Sequence, residues 1–308
     1  MKQKFLLSAV FSVITILATI SCVKENRFEI SSEEVKFRSN ITTADQTAKA
    51  TDNAWNAKDS IGIYMFKKSS FNIADGGENI PYVARIGGTD VSFAAKDQAI
   101  YFPDNGSEVR FMSYFPYNSE IVPNIYKVDV SDQSNQSAID LLYSFDQEAF
   151  YVKDSQNKMV YLNFDHKLSK IVINIKTGTG HEYVDLENLK ILISGLNTKA
   201  DFDLINGRLN NRSAIAGIVP VNVSVKDDFH SSYEAIVIPT EITPTDAKIV
   251  FDLNNGEEIN NDMFTWILGS PLLGSYKYTF NVTINRSGII VLGLISDWSD
   301  GESDINAE

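Results

Sequence analysis

A strict two-residue alternation of apolar and polar side chains near the C-terminus is the strongest constraint on how this chain folds. Tyr276, Tyr278, Phe280, Val282 and Ile284 alternate with a polar residue at every position between them. Successive side chains of a strand point to opposite faces, so this spacing predicts a strand with one buried face. An amphipathic helix would repeat at 3.6 residues, and no window longer than about ten residues has that period.

The same short-strand pattern recurs along the chain, with turn residues between the strands. The segments 35–41, 221–225 and 249–253 alternate, whereas the nearly continuous apolar run from Ile289 to Ile295 predicts a strand buried on both faces. Asn-Gly pairs tolerate the positive φ of tight hairpin turns; they stand at 105–106, 206–207 and 255–256. We therefore predict an all-β chain built of antiparallel β-sandwiches.

The N-terminus has the layout of a lipoprotein signal peptide. Lys2 and Lys4 precede the apolar segment 5–20, which is shorter than the about 20 residues of a membrane span. Cys22, the only cysteine, follows at once and cannot form an intrachain disulfide. We predict that residues 1–21 are removed and that Cys22 carries a lipid. The alternatives are a membrane-anchoring helix, or a cysteine that is discarded with the signal.

The composition argues against nucleic acid as a partner. The net charge of −13 and the pI of about 4.7 would repel a phosphate backbone, so we predict no nucleic-acid binding. Hydrophobic residues make up 44%, enough for a folded core. Acidity of this kind is typical of a protein kept soluble outside the cell.

Two polar stretches suggest where the chain divides. Residues 42–60 are small and polar, which predicts a loop, and the polar stretch 153–158 separates two apolar regions. We predict an N-terminal segment at 22–60 with a first strand at 35–41. A sandwich domain over 61–157 would include that strand, and a second sandwich would span 158–308.

Reactive residues do not converge anywhere in the sequence. The three histidines are far apart, and no phosphate loop, nucleophile elbow or zinc spacing is present, so we predict no enzyme, cofactor or metal site. The acidic run Asp297, Asp300, Glu302 and Asp304 is a candidate calcium ligand set, with a solvated tail as the simpler alternative. The aromatic residues at 114, 115 and 117 are either a sugar-stacking platform or ordinary strand residues.

Several segments, read in order, resemble the fimbrillin family, whose members build type V pili of gut and oral anaerobes. They lie behind the lipoprotein-like signal and together span most of the chain after it. They are Trp55 with Asp59–Met65, Ile100–Pro103, Val109–Tyr117, Asp140–Tyr143, Leu162–Lys170, Ala235–Pro239 and Ile295–Trp298.

The resemblance implies two transthyretin-like β-sandwich domains, no catalysis, and export as a lipoprotein to the surface of the outer membrane, where Cys22 holds the lipid. It implies a structural or adhesive pilus subunit whose partners are other pilus subunits, joined by strand exchange. Proteolytic removal of the first strand, here 35–41, would open a groove for a strand of a neighbouring subunit.

Family members are cut after an arginine, and the matching position here is Lys49, which makes Lys49 the candidate processing site. Arg38 is a poor substitute because a cut there would divide the strand itself. Two alternatives stay open. The first strand can be permanent, as in an anchor, or the chain can be a surface lipoprotein that binds a host or dietary glycan and never polymerises.

Overall fold

The structure is a computed structural model that describes residues 33–41, 53–121, 123–153, 159–226, 228–253 and 263–298. The predicted signal peptide, Cys22, Lys49 and the acidic residues after Asp297 lie outside these ranges. The described residues contain β-strands and two short 3₁₀ turns, Gln136–Ala138 and Gly180–Glu182, and no α-helix. The all-β prediction is confirmed.

The strands are numbered in chain order. They are β1 (Lys36–Ile41), β2 (Ser60–Lys67), β3 (Ile80–Ala84), β4 (Asp90–Ala95), β5 (Val109–Phe115), β6 (Ile125–Asp129), β7 (Leu142–Phe145), β8 (Met159–His166), β9 (Ser169–Thr177), β10 (Lys190–Ser194), β11 (Asn197–Asp203), β12 (Arg208–Ile215), β13 (Val221–Val223), β14 (Ser231–Val237), β15 (Lys248–Asp252), β16 (Met263–Ile267), β17 (Tyr276–Asn285) and β18 (Gly288–Asp297).

The N-terminal strands close into a barrel in the order β1-β4-β3-β2-β5-β7-β8. The sandwich expected in this half thus takes the form of a closed sheet. Alternate residues of β2 serve two cores: Ile61 and Ile63 point into the barrel, and Tyr64 packs on the C-terminal half. A strand buried on both faces explains why β2 is apolar at nearly every position.

The C-terminal half packs a five-stranded sheet, β13-β14-β9-β17-β18, against a three-stranded sheet, β10-β15-β16. Trp266 of β16 contacts Phe280 of β17, with 4.5 Å between ring centroids. The alternation predicted for β17 is confirmed, because Tyr278, Phe280 and Val282 are all buried. A further sheet, β12-β11-β6, shares this core.

The strand β18 differs from its prediction. It is an edge strand of the five-stranded sheet, and Ile290 and Leu292 are 56% and 66% exposed instead of buried. Its apolar run therefore does not reflect burial on both faces within the chain.

Two strands bear on the predicted division into domains. The strand β8 starts directly after the predicted boundary and belongs to the barrel, while β6 pairs with β11 of the C-terminal half. The described residues from Glu33 onwards form one compact unit. The division at 157 and 158 stays a prediction.

Within the described residues, no helix has the length and apolar character needed to cross a membrane.

Candidate functional site

The strand β1 is the element that closes the barrel. It pairs antiparallel with β4, Phe37 opposite Phe93, and parallel with β8, Phe37 opposite Val160. Both sides of its backbone are therefore hydrogen-bonded into the sheet. The parallel pairing requires the chain to travel around most of the barrel before β8 returns to β1.

One face of β1 is buried in the barrel. Val35, Phe37 and Ile41 are at most 5% exposed, as their spacing predicted. The ring of Phe37 makes edge-to-face contacts with Tyr82 and Phe111, at centroid distances of 4.9 and 5.2 Å. Burying side chains of this size stabilises the fold by about 1.5–3 kcal/mol each, so β1 contributes several kcal/mol.

The other face of β1 is polar and exposed. The guanidinium of Arg38 donates two hydrogen bonds to Asp90 of β4, at 2.6 and 2.9 Å, and lowers the pKa of that carboxyl group. Because both side chains are about half exposed, this pair adds little stability. The apolar face is what holds β1 in place.

The chain that follows β1 is anchored again at Trp55. This indole is buried in the barrel and makes edge-to-face contacts with Phe93, Phe115 and Phe164 at 5.1–5.4 Å. Lys49 lies between Ile41 and Asn53, in a stretch outside the described residues. The two described ends of that stretch are thus both fixed in the barrel.

A polar junction joins the end of β1 to the end of β18. A cavity of about 120 Å³ is lined there by Ile41, Trp55, Asp59 and Trp298, among others. Burial raises the pKa of the Asp59 carboxyl group, although a hydrogen bond from the Asn56 N–H opposes the shift.

His166, the last residue of β8, belongs to the same junction. Its Nδ1 lies 2.9 Å from Asp140 Oδ1, and its ring stacks on Trp298. The backbone carbonyl of His166 accepts a hydrogen bond from Ser275 Oγ. These contacts give His166 a structural, hydrogen-bonded role.

The structure does not bring the other candidate residues together. Tyr114 and Phe115 are buried, 0% and 8% exposed, so they do not form a sugar-stacking platform. Among the described residues, no group of three or more histidine, cysteine, aspartate or glutamate side chains could hold a metal ion. Of the acidic run, only Asp297 is described, so the calcium alternative stays untested.

A polar hollow lies between the diverging ends of β7 and β8. Its volume is about 300 Å³, and its lining includes Asp146, Gln147, Asn163 and Asp165. Tyr161 stands at its edge with 57% of its surface exposed. Carboxylate, amide and aromatic groups are suited to sugar hydroxyls and sugar faces. No motif in the sequence indicated that these residues lie together.

Comparisons with known proteins find a fimbrium subunit and cell adhesion proteins of Bacteroides. A Bacteroides uniformis protein provisionally named fimbrium subunit Fim1C is 31% identical over 258 residues, which is 82% of each chain. The crystal structure of a protein described as a cell adhesion protein, also from Bacteroides uniformis, has 28% identity and a TM-score of 0.69. The match covers 86% of this chain and 98% of that one.

A second solved structure shares the fold at lower identity. It is described as a cell adhesion protein of Bacteroides ovatus, with 18% identity, a TM-score of 0.65, and coverage of 88% and 100% of the two chains. The profile of the fimbrillin-like family matches residues 48–298, a segment that begins after β1 and ends at Trp298. The chain therefore belongs to the fimbrillin-like family.

Proposed function

We propose that this protein is a structural or adhesive subunit of a cell-surface pilus, exported as a lipoprotein through Cys22 and assembled by strand exchange at β1. The family membership and the fimbrial name of the Bacteroides uniformis relative support a pilus-related role. The observation that carries strand exchange is the position of β1, the first described strand, which closes the barrel between β4 and β8.

Removing β1 would leave a groove with unpaired backbone groups along its edges and an apolar interior. The edges of β4 and β8 would present unpaired N–H and C=O groups, which invite a strand from another chain. The interior would expose the apolar surface that Val35, Phe37 and Ile41 now cover, including Tyr82 and Phe111. A donor strand with apolar residues at every second position would restore both the hydrogen bonds and the core.

The position of β1 in the chain makes this exchange feasible. Only the connection between Ile41 and Asn53 joins β1 to the rest of the barrel, so one cut would free it. Lys49 lies in this connection, and we propose it as the processing site. Under this proposal, the partners are other pilus subunits, the outer membrane holds the lipid on Cys22, and no catalysis takes place.

The test is a controlled cut. A recognition site for a sequence-specific protease is placed after Lys49, and a control variant carries it at the exposed Asn105–Gly106 turn. After cleavage, a labelled peptide with the sequence of residues 33–41 is added. Strand exchange predicts that the peptide enters only the chain cut after Lys49, and that this chain forms larger species. If it retains its own β1 and forms no species larger than those of the uncut chain, the strand is permanent and the exchange proposal fails.

A second candidate is a surface lipoprotein that binds a glycan and does not polymerise. The hollow between β7 and β8, with Tyr161 beside Asn163 and Asp165, is the observation in its favour. Binding of host or dietary glycans on an array, lost in Tyr161→Ala, would support this function. If this alternative is correct, cleavage after Lys49 should produce no species larger than those of the uncut chain.

A further inference from the structure

Among the strands that the structure describes, β18 lies at the edge of its sheet, and it has an apolar sequence. Between Gly288 and Ser296 it holds no charged residue and no proline, the usual means by which proteins protect an exposed edge. Ile290 and Leu292 are 56% and 66% exposed on its outer face. Long apolar edges of this kind are sites where another strand pairs.

The register of the β17–β18 hairpin shows which backbone groups of β18 point away from β17. Asn285 and Gly288 close a two-residue turn, and Trp298 N donates to Ser275 O at 2.7 Å at the other end of the ladder. Hydrogen-bonded pairs alternate in an antiparallel ladder, so the even-numbered residues of β18 bond to β17. The odd-numbered residues from Ile289 to Ile295 therefore direct their N–H and C=O groups to the open side.

We infer that β18 pairs antiparallel with β18 of a second copy of this chain, with Leu292 of each copy on the twofold axis. In this register Ile290 faces Leu294 of the second copy, so the exposed apolar residues of both copies cover one another. The odd-numbered residues also meet as hydrogen-bonded pairs, Ile289 with Ile295 and Val291 with Gly293 of the second copy.

Charge supports the second copy as the occupant. The same register sets Asp297 opposite Ser287 of the second copy, which brings its carboxylate next to the hairpin turn that also carries Arg286, at both ends of the joined strands. A twofold interface must be self-complementary in this way, because the same patch serves both partners. The two five-stranded sheets would then continue into each other. The inferred contact lies on the C-terminal half and does not require strand exchange at β1.

The self-association is measured by sedimentation equilibrium of the full-length chain carrying Cys22→Ser, in a density-matched non-ionic detergent. We expect a concentration-dependent dimer that Leu292→Lys weakens by about tenfold or more, since the two lysines would lie directly opposite each other across the twofold axis and repel. The control is Ile242→Lys, which places the same charge at a residue that is 78% exposed and outside the strands. The dimer should also strengthen with salt, because each copy carries a charge of −13.

The register is tested with single cysteines in the same background. Leu292→Cys should form a disulfide-linked dimer by itself. Ile290→Cys and Leu294→Cys should each stay largely unlinked alone and should link when the two variants are mixed.

Three results would overturn the inference. The chain could remain monomeric at all concentrations, Leu292→Lys and Ile242→Lys could weaken the dimer equally, or the cysteine pattern could fail to follow the Leu292 axis.

Discussion

The imidazole ring of His166 lies parallel to the indole of Trp298, with 4.2 Å between the ring centroids and 4° between their planes. His166 ends β8 of the barrel, and Trp298 directly follows β18 of the C-terminal half. This stack therefore joins the last described residue of the chain to the strand that pairs with β1.

We expect Trp298→Ala to lower the free energy of unfolding by about 3–5 kcal/mol, as for other buried aromatic residues. Urea denaturation followed by circular dichroism measures the loss. A double-mutant cycle with His166→Ala isolates the stacking contribution, for which we expect about 0.5–1.5 kcal/mol. Zero coupling would mean that the two rings are neighbours without a net interaction.

A second prediction concerns the contact between Gly62 of β2 and Tyr114 of β5. These residues face each other across the strands, and a Cβ atom on Gly62 would lie 2.3 Å from Tyr114 Cε1. Tyr114 is fully buried, and its hydroxyl oxygen accepts a hydrogen bond from Asn118 N–H at 3.2 Å, so the ring has little freedom to move.

Gly62→Ala should therefore destabilise the protein by about 1–3 kcal/mol through overpacking. In a Tyr114→Ala background the same substitution should cost much less, because the clashing ring is gone. Thermal unfolding of the four variants tests this, and equal costs in the two backgrounds would contradict the steric explanation.

The sequence predicted strands well where one face is buried. The alternation of β17 and of residues 35–41 gave the correct buried residues, since the period of two follows directly from strand geometry. It could not predict which strands become neighbours. The parallel contact of β1 with β8 joins Phe37 to Val160, and no local pattern encodes a pairing so distant in sequence.

Only part of the candidate site could be predicted from the sequence, for the same reason. Val35, Phe37 and Ile41 were identified from their spacing, but the closure of the barrel by β1 depends on Asp90 and Val160 being brought beside it. The error at β18 is more instructive. A continuous apolar run indicates burial, yet it does not say whether the burying surface belongs to the same chain.

A third prediction uses the raised pKa of Asp59. Desolvation at the junction cavity is the larger cause, and the hydrogen bond from Asn56 N–H at 2.7 Å opposes it. A carboxyl group with a raised pKa in the folded state stabilises the fold fully below its unfolded pKa of about 3.9. That contribution is lost as the pH rises through the folded pKa, so ionised Asp59 weakens the fold at neutral pH.

Asp59→Asn should consequently be more stable than the parent at pH 7, and the difference should vanish near pH 3. The amide oxygen can still accept the hydrogen bond from Asn56. Asp97→Asn, at an exposed bend, controls for removing one negative charge from an acidic chain. Urea denaturation at several pH values supplies the data. A stability gap that persists at pH 3 would show that desolvation of the carboxylate is not its origin.

The final prediction compares two adjacent residues of β1. Phe37 is 1% exposed and contacts Tyr82 and Phe111, whereas Arg38 is on the outer face and pairs with Asp90. Phe37→Ala should lower the free energy of unfolding by about 3–5 kcal/mol. Arg38→Ala removes an exposed ion pair and should cost less than about 1 kcal/mol. Urea denaturation measures both, and hydrogen exchange of the β4 and β8 amides shows whether the barrel opens.

This contrast bears on how β1 is held. If apolar burial fixes the strand, Phe37→Ala should speed exchange at both β4 and β8, because loosening β1 uncovers both edges at once. Arg38→Ala should leave both edges protected, and high salt should have the same small effect. If the two variants lose similar stability, or if Phe37→Ala exposes only β4 to exchange, the burial of Phe37 is not the main interaction that holds β1.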